Sequence, residues 1–91
     1  MVVKQWHGLV FGRVQRVGFR FFTKLTAMHF GIKGFVSNQA DGSVEIVAVG
    51  EEEALKQFVE AVSKGNFICK IDRIIGDFVP ATLSFKDFSV R

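Results

Sequence analysis

The hydrophobic period of this chain changes across one short stretch, Gly12-Arg13-Val14-Gln15-Arg16-Val17-Gly18-Phe19-Arg20. Before it, Val3 to Phe11 alternates, with Val3, Leu9 and Phe11 on one face and Trp6 and Val10 on the other, the pattern of a strand. After it, Phe19, Phe22, Thr23, Ala27 and Phe30 recur at helical spacing, and Gly31 suits the left-handed position that ends a helix. The chain therefore begins as strand, loop, helix, and the loop carries two glycines and three arginines. N–H groups at a helix start have no partner within the helix, and glycine lets main chain approach a ligand closely, so such a loop can enclose an anion. Arg20 adds a planar, permanently charged fork at the same place.

The remaining periods complete a fold. Ile32 to Asn38 reads as a second strand, Gln39-Ala40-Asp41-Gly42 as hairpin chemistry, and Ser43 to Val49 as a third strand in which Val44, Ile46 and Ala48 alternate with Glu45 and Val47. A second helix follows Gly50, with Glu51, Glu52 and Glu53 near its positive end, Leu55, Phe58, Val59 and Val62 on one face, and Gly65 at its close. Ile71 to Val79 reads as a strand stopped by Pro80, and Phe85 to Val90 as a short final one. The order βαββαβ plus a tail predicts an α+β, ferredoxin-like split βαβ sandwich spanning residues 1–91 as one domain, an antiparallel sheet with two helices on one face. If the first two strands both pair antiparallel with the third, they run parallel to each other and end at the same sheet edge. The loop and Asn38 are then expected about 10 Å apart, twice the interstrand spacing.

Several function classes lack support. The net charge of +3 favours anionic ligands without resembling the dense basic stripe of a nucleic-acid binder. An RNA-reading sheet needs exposed rings on its central strands, and Ser43 to Gly50 has no aromatic residue. With eleven Phe, one Trp and no Tyr, the aromatic volume suits packing better than polar recognition. Every apolar run is interrupted well short of the ~20 residues that span a bilayer. Cys69 is the single cysteine and has no intrachain partner, no leader-like segment is apparent, and the cytoplasm is the expected compartment. His7 and His29 lack companions at metal-ligand spacing, so neither a metal nor an organic cofactor is expected.

A second segment gives the first its meaning: Gly34-Phe35-Val36-Ser37-Asn38, then Gly42-Ser43-Val44, then Gly50. Together the two segments resemble the acylphosphatase family. Its first signature, G-x-V-Q-G-V-x-F-R, is matched by Gly12, Val14, Gln15, Val17, Phe19 and Arg20, and its second by Gly34, Asn38, Gly42, Val44 and Gly50. The resemblance covers essentially the whole chain. It implies hydrolysis of small-molecule acyl phosphates to carboxylate and inorganic phosphate, without metal, by direct in-line attack of water. It assigns Arg20 and Asn38 as catalytic residues, one gripping the phosphoryl oxygens and the other orienting water. The loop residues Arg13, Val14, Gln15, Arg16, Val17 and Gly18 are assigned to the phosphate cradle, with Gln15 shaping the loop by hydrogen bonding.

Two positions depart from the family pattern. Ser37 stands where a long or basic residue is usual, an effect confined to the rim. Arg16 stands where the signature has glycine. If the backbone there needs φ > 0, a side chain costs on the order of 1 kcal/mol or more and the loop relaxes from its anion-binding shape. If φ is negative, Arg16 adds positive charge beside the ligand. The first case points to a phosphate-binding but inactive domain, like the N-terminal part of larger hydrogenase-maturation carbamoyltransferases. Finally, Phe21, Leu25 and Met28 form a second apolar stripe on the first helix, expected either under the C-terminal tail or at a weak self-contact of an otherwise monomeric protein.

Overall fold

Trp6, Gly8 and Val10 turn to one side of the first strand and are buried there, while His7 points to the other. This strand is β1 (Val3–Arg13) of a computed structural model that describes residues 2–15, 18–66 and 69–91. It is followed by α1 (Phe19–Phe30), β2 (Lys33–Asn38), β3 (Val44–Glu51), α2 (Glu52–Lys64), β4 (Lys70–Pro80) and β5 (Phe88–Val90). The strands form one sheet in the order β4-β1-β3-β2-β5.

Helix α1 buries Phe19, Thr23 and Ala27, one residue per turn, and α2 buries Leu55, Phe58 and Val62. Both stripes meet Trp6, Val10, Val36, Val44, Ile46 and Ala48 on one face of the sheet. The one hydroxyl in α1's buried stripe, on Thr23, donates to the Phe19 carbonyl at 2.9 Å, so it enters the core satisfied. Gly31 closes α1 in the left-handed conformation, with its own N–H and that of Ile32 returned to Met28 and Ala27.

The sheet is mixed, which corrects the expected all-antiparallel arrangement. β1, β2, β3 and β4 pair antiparallel, but β5 pairs parallel to β2, with Gly34 opposite Phe88 and Val36 opposite Val90. The cause is the end at which the chain crosses. Pro80 leaves β4 opposite Lys4, near the start of β1, and β2 begins at that same end of the sheet. A chain crossing there enters the far edge running in β2's direction. The crossing is anchored by the Gln5 Oε1 atom, which accepts from the N–H groups of Thr82 and Leu83, and by Phe85 packing edge-on against Phe35. Phe85 is therefore spent on packing, and the last strand is three residues rather than six. β5 delivers Arg91 to the opposite end of the sheet, where the loop after β1 also lies.

The second apolar stripe of α1 is not covered by the C-terminal segment. Phe21 and Met28 are each 62% exposed and Leu25 49%. Cys69 is half-buried against the core, and its Sγ accepts from the Asn66 N–H.

Candidate active site

The first and second strands flank β3 and reach the same edge. Val10 of β1 and Asn38 of β2 face a common residue, Val44, from its two sides. With β3 between them, the two strands stand about 10 Å apart. β1 continues past this level to Arg13, three residues beyond Val10, because β4 keeps pairing with it. A register shift between Phe11 and Gly12 turns it into the loop. Gly12 sits at φ 132°, and a Cβ there would collide with the Lys70 carbonyl and approach the Asp72 nitrogen to 2.8 Å, so glycine is required.

Val14 is 1% exposed, and its burial in the core pins the loop from beneath. Gly18, at φ 76°, is the residue on which α1 begins, and no side chain among the described residues caps that helix. The contrast with α2 is informative. There Glu51 accepts from the Ala54 N–H at 3.2 Å, and Glu52 and Glu53 fill the first turn. The first turn of α1 has no acidic residue, so among the described residues no side chain competes with an anion for its N–H groups and positive end. Arg20 stands in that turn, half-buried.

Hydrogen bonds tie both sides of this region to β2. The Gln15 amide donates to the carbonyls of Gln39 at 2.8 Å and Ser43 at 2.9 Å, joining the loop to the hairpin immediately after Asn38. Arg20 Nη1 donates to the Arg91 carbonyl at 2.7 Å, and the Arg91 N–H donates to the Val36 carbonyl at 2.8 Å, two residues before Asn38. The Arg91 guanidinium lies 3.9 Å over the Phe35 ring, which holds the segment against β2. One of Arg20's five donors is thus used to fix the guanidinium, and no other Arg20 bond is made to a described residue. Between these two ties, Asn38 Oδ1 is buried and has no hydrogen-bond partner among the described residues. A buried acceptor without a partner costs about 1–3 kcal/mol, so its persistence calls for a reason.

A cavity of about 370 Å³ opens beside the start of α1, lined by Val14, the run from Gly18 to Phe21, Lys24 and Val90. Of the residues assigned to the site from the sequence, it gathers Val14, Gly18 and Arg20. Arg13 is exposed at the end of β1, and Gln15 is turned to the hairpin; neither lines the cavity. Asn38 lies at the same sheet edge, on the helix-bearing side with Val44, but outside that lining. Arg16 and Val17 lie outside the described residues. Two contributors were not singled out from the sequence. Lys24 was legible as a second cation one turn beyond Arg20. Arg91 acts through a main-chain carbonyl and leaves no side-chain signal.

Two smaller expectations follow from the hairpin. Gln15→Leu removes both ties, but the Gln39 carbonyl still accepts from Gly42 N–H and the Ser43 carbonyl from Gln39 N–H. Neither acceptor is orphaned, so the expected loss is about 1–2 kcal/mol in chemical denaturation. Asp41 Oδ1 accepts from the Ser43 hydroxyl at 2.6 Å and the Ser43 N–H at 2.9 Å, which hold its carboxyl below the ordinary value of 3.8, the hydroxyl contributing most. The depressed value means that the turn's contribution is complete above the ordinary carboxylate pKa and is lost as pH falls through the lowered one. In an NMR titration, Ser43→Ala is expected to move the Asp41 midpoint part of the way back up.

The acylphosphatase family model matches residues 6–90. An acylphosphatase of Pasteurella multocida is 44% identical over 91 residues, covering 100% of this chain and 99% of its own. The crystal structure of acylphosphatase from Bacillus subtilis superposes with a TM-score of 0.92 at 40% identity, covering 97% of this chain and 98% of that one. Full-length HypF, in a phosphate- and nucleotide-bound form, aligns over 98% of this chain but only 12% of its own, at 31% identity and a TM-score of 0.87. With a loop, an arginine and an asparagine at one edge of a split βαβ sheet, a family model matched over residues 6–90, and the Pasteurella multocida and Bacillus subtilis proteins matched along nearly their full length, the chain belongs to the acylphosphatase family.

Proposed function

We propose that the chain hydrolyses small acyl phosphates by in-line attack of water, with the phosphoryl group held between the loop amides and Arg20. The observation that carries this reading is the buried Oδ1 of Asn38, which has no partner among the described residues and is flanked by a hydrogen-bond chain from Val36 of β2 to Arg20 and by the Gln15 bonds to the hairpin after it. An acceptor kept free at that point is suited to a water molecule.

The chemistry asks little more of the protein. Water's oxygen bonds to phosphorus as the bond from phosphorus to the acyl oxygen breaks, and the carboxylate leaves with the electron pair. Its conjugate acid has a pKa near ~4, so departure needs no general acid at neutral pH. Arg20 and the N–H groups of the loop and first turn spread the phosphoryl charge. Asn38 aims the water by accepting one of its hydrogens, and a carboxamide is too weak a base to keep a proton. The proton passes to a phosphate oxygen.

Benzoyl phosphate hydrolysis tests the reading. Turnover is expected to continue undiminished with chelator present and to be inhibited competitively by inorganic phosphate. The likeness to a small part of HypF favours one other reading, a module that binds phosphate without turning over. Phosphate binding without benzoyl phosphate hydrolysis would select it.

A further inference from the structure

Resting on the acyl phosphate reading, we infer that Lys24 and Phe21 form the acyl-group subsite and select acyl phosphates that carry a second negative charge on the acyl portion. The cavity beside Arg20 runs along the first turns of α1, from Gly18 to Lys24. Arg20 and Lys24 stand at i and i+4, with Phe21 between them, and all three line the same space with Val90. Residues four apart on a helix have Cβ atoms about 5–6 Å from one another, so two long cationic side chains can hold anionic groups separated by a short acyl body. Phe21 and Val90 supply the apolar walls for that body. Phe21 is 62% exposed beside the cavity, an apolar surface that an acyl chain would cover.

The charge balance of the cavity supports the same substrate. Among the described residues no side-chain carboxylate lines it, and Lys24 makes no ion pair. Helix α1 contains no acidic residue at all. This differs from α2, where Lys56 and Lys64 each have a glutamate within 3.7 Å on the same helix. A second cation without a counterion, one turn beyond the phosphate-binding arginine, is complementary to a ligand with two separated negative groups.

The test compares benzoyl phosphate with 3-carboxybenzoyl and 4-carboxybenzoyl phosphate, which share the aromatic body and differ in the distal carboxylate. For the natural chain, kcat/KM is expected to favour one of the carboxylated substrates by about three- to fivefold, expressed in KM and shrinking with added salt. In Lys24→Gln the preference falls to about one, and in Lys24→Glu below one. Lys56→Gln, which removes the same charge from α2, keeps the natural preference and so separates a local contact from the overall field. A flat ratio in the natural chain, or a preference that survives Lys24→Gln, overturns the inference while benzoyl phosphate turnover leaves the activity reading standing. Failure to hydrolyse any of the three overturns both.

Discussion

Replacing Arg20 with methionine is expected to lower kcat/KM for benzoyl phosphate at least a hundredfold, with a comparable weakening of competitive inhibition by inorganic phosphate. The side chain combines roles that no neighbour duplicates. It stands in an uncapped first turn whose dipole already favours an anion, and its fork is oriented by the Arg91 carbonyl at 2.7 Å. Removing one preorganised donor from a phosphoryl or oxyanion site typically costs about 3–4 kcal/mol of transition-state stabilisation, a factor of 10² to 10³. Methionine preserves most of the length and the apolar stem, so the fold should be little affected. Lysine is a poorer substitute than its charge suggests, because it places a point charge where a planar fork is needed. Arg20→Lys should therefore recover only part of the loss.

Replacing Asn38 with alanine is expected to separate activity from stability. If its carboxamide orients the attacking water, kcat should fall by about a hundredfold while phosphate affinity stays near that of the natural chain. The unfolding midpoint should stay level or rise, since the lost Oδ1 is a buried acceptor that forfeits no partner among the described residues. A stabilisation of 1 kcal/mol would raise Tm by about 4–8 °C in a domain of this size. A purely structural asparagine would behave in the opposite way, losing stability on truncation and leaving turnover intact.

Much of this arrangement was legible because it depends on period and on local backbone needs. The switch from alternation to helical spacing located β1 and α1, and Gly31 marked the helix end at the residue where the left-handed turn occurs. The pairing of β1 and β2 through β3 followed from the hairpin, and it put the loop and Asn38 at one edge without any knowledge of side-chain positions. The direction of β5 was not legible in the same way. Three residues carry no usable period, and their orientation depends on which end of the sheet the preceding segment crosses, a matter settled by Gln5 and Phe85. The Arg91 tie to Arg20 was hidden for a different reason, since a main-chain carbonyl has no signature in a sequence. The exposed stripe on α1 was visible in the sequence, but its meaning was not. Phe21 separates from Leu25 and Met28 once the cavity is seen to run beside it.

The central claim is that one edge of the sheet grips a phosphoryl group with Arg20 and aims water with Asn38, two separable tasks. Titrating inorganic phosphate by calorimetry into the natural chain, Arg20→Met and Asn38→Ala, alongside benzoyl phosphate turnover of all three, tests it most directly. The account predicts binding lost in Arg20→Met and retained in Asn38→Ala, with turnover depressed at least a hundredfold in both. Undiminished phosphate binding by Arg20→Met, or near-normal turnover by Asn38→Ala, would contradict it.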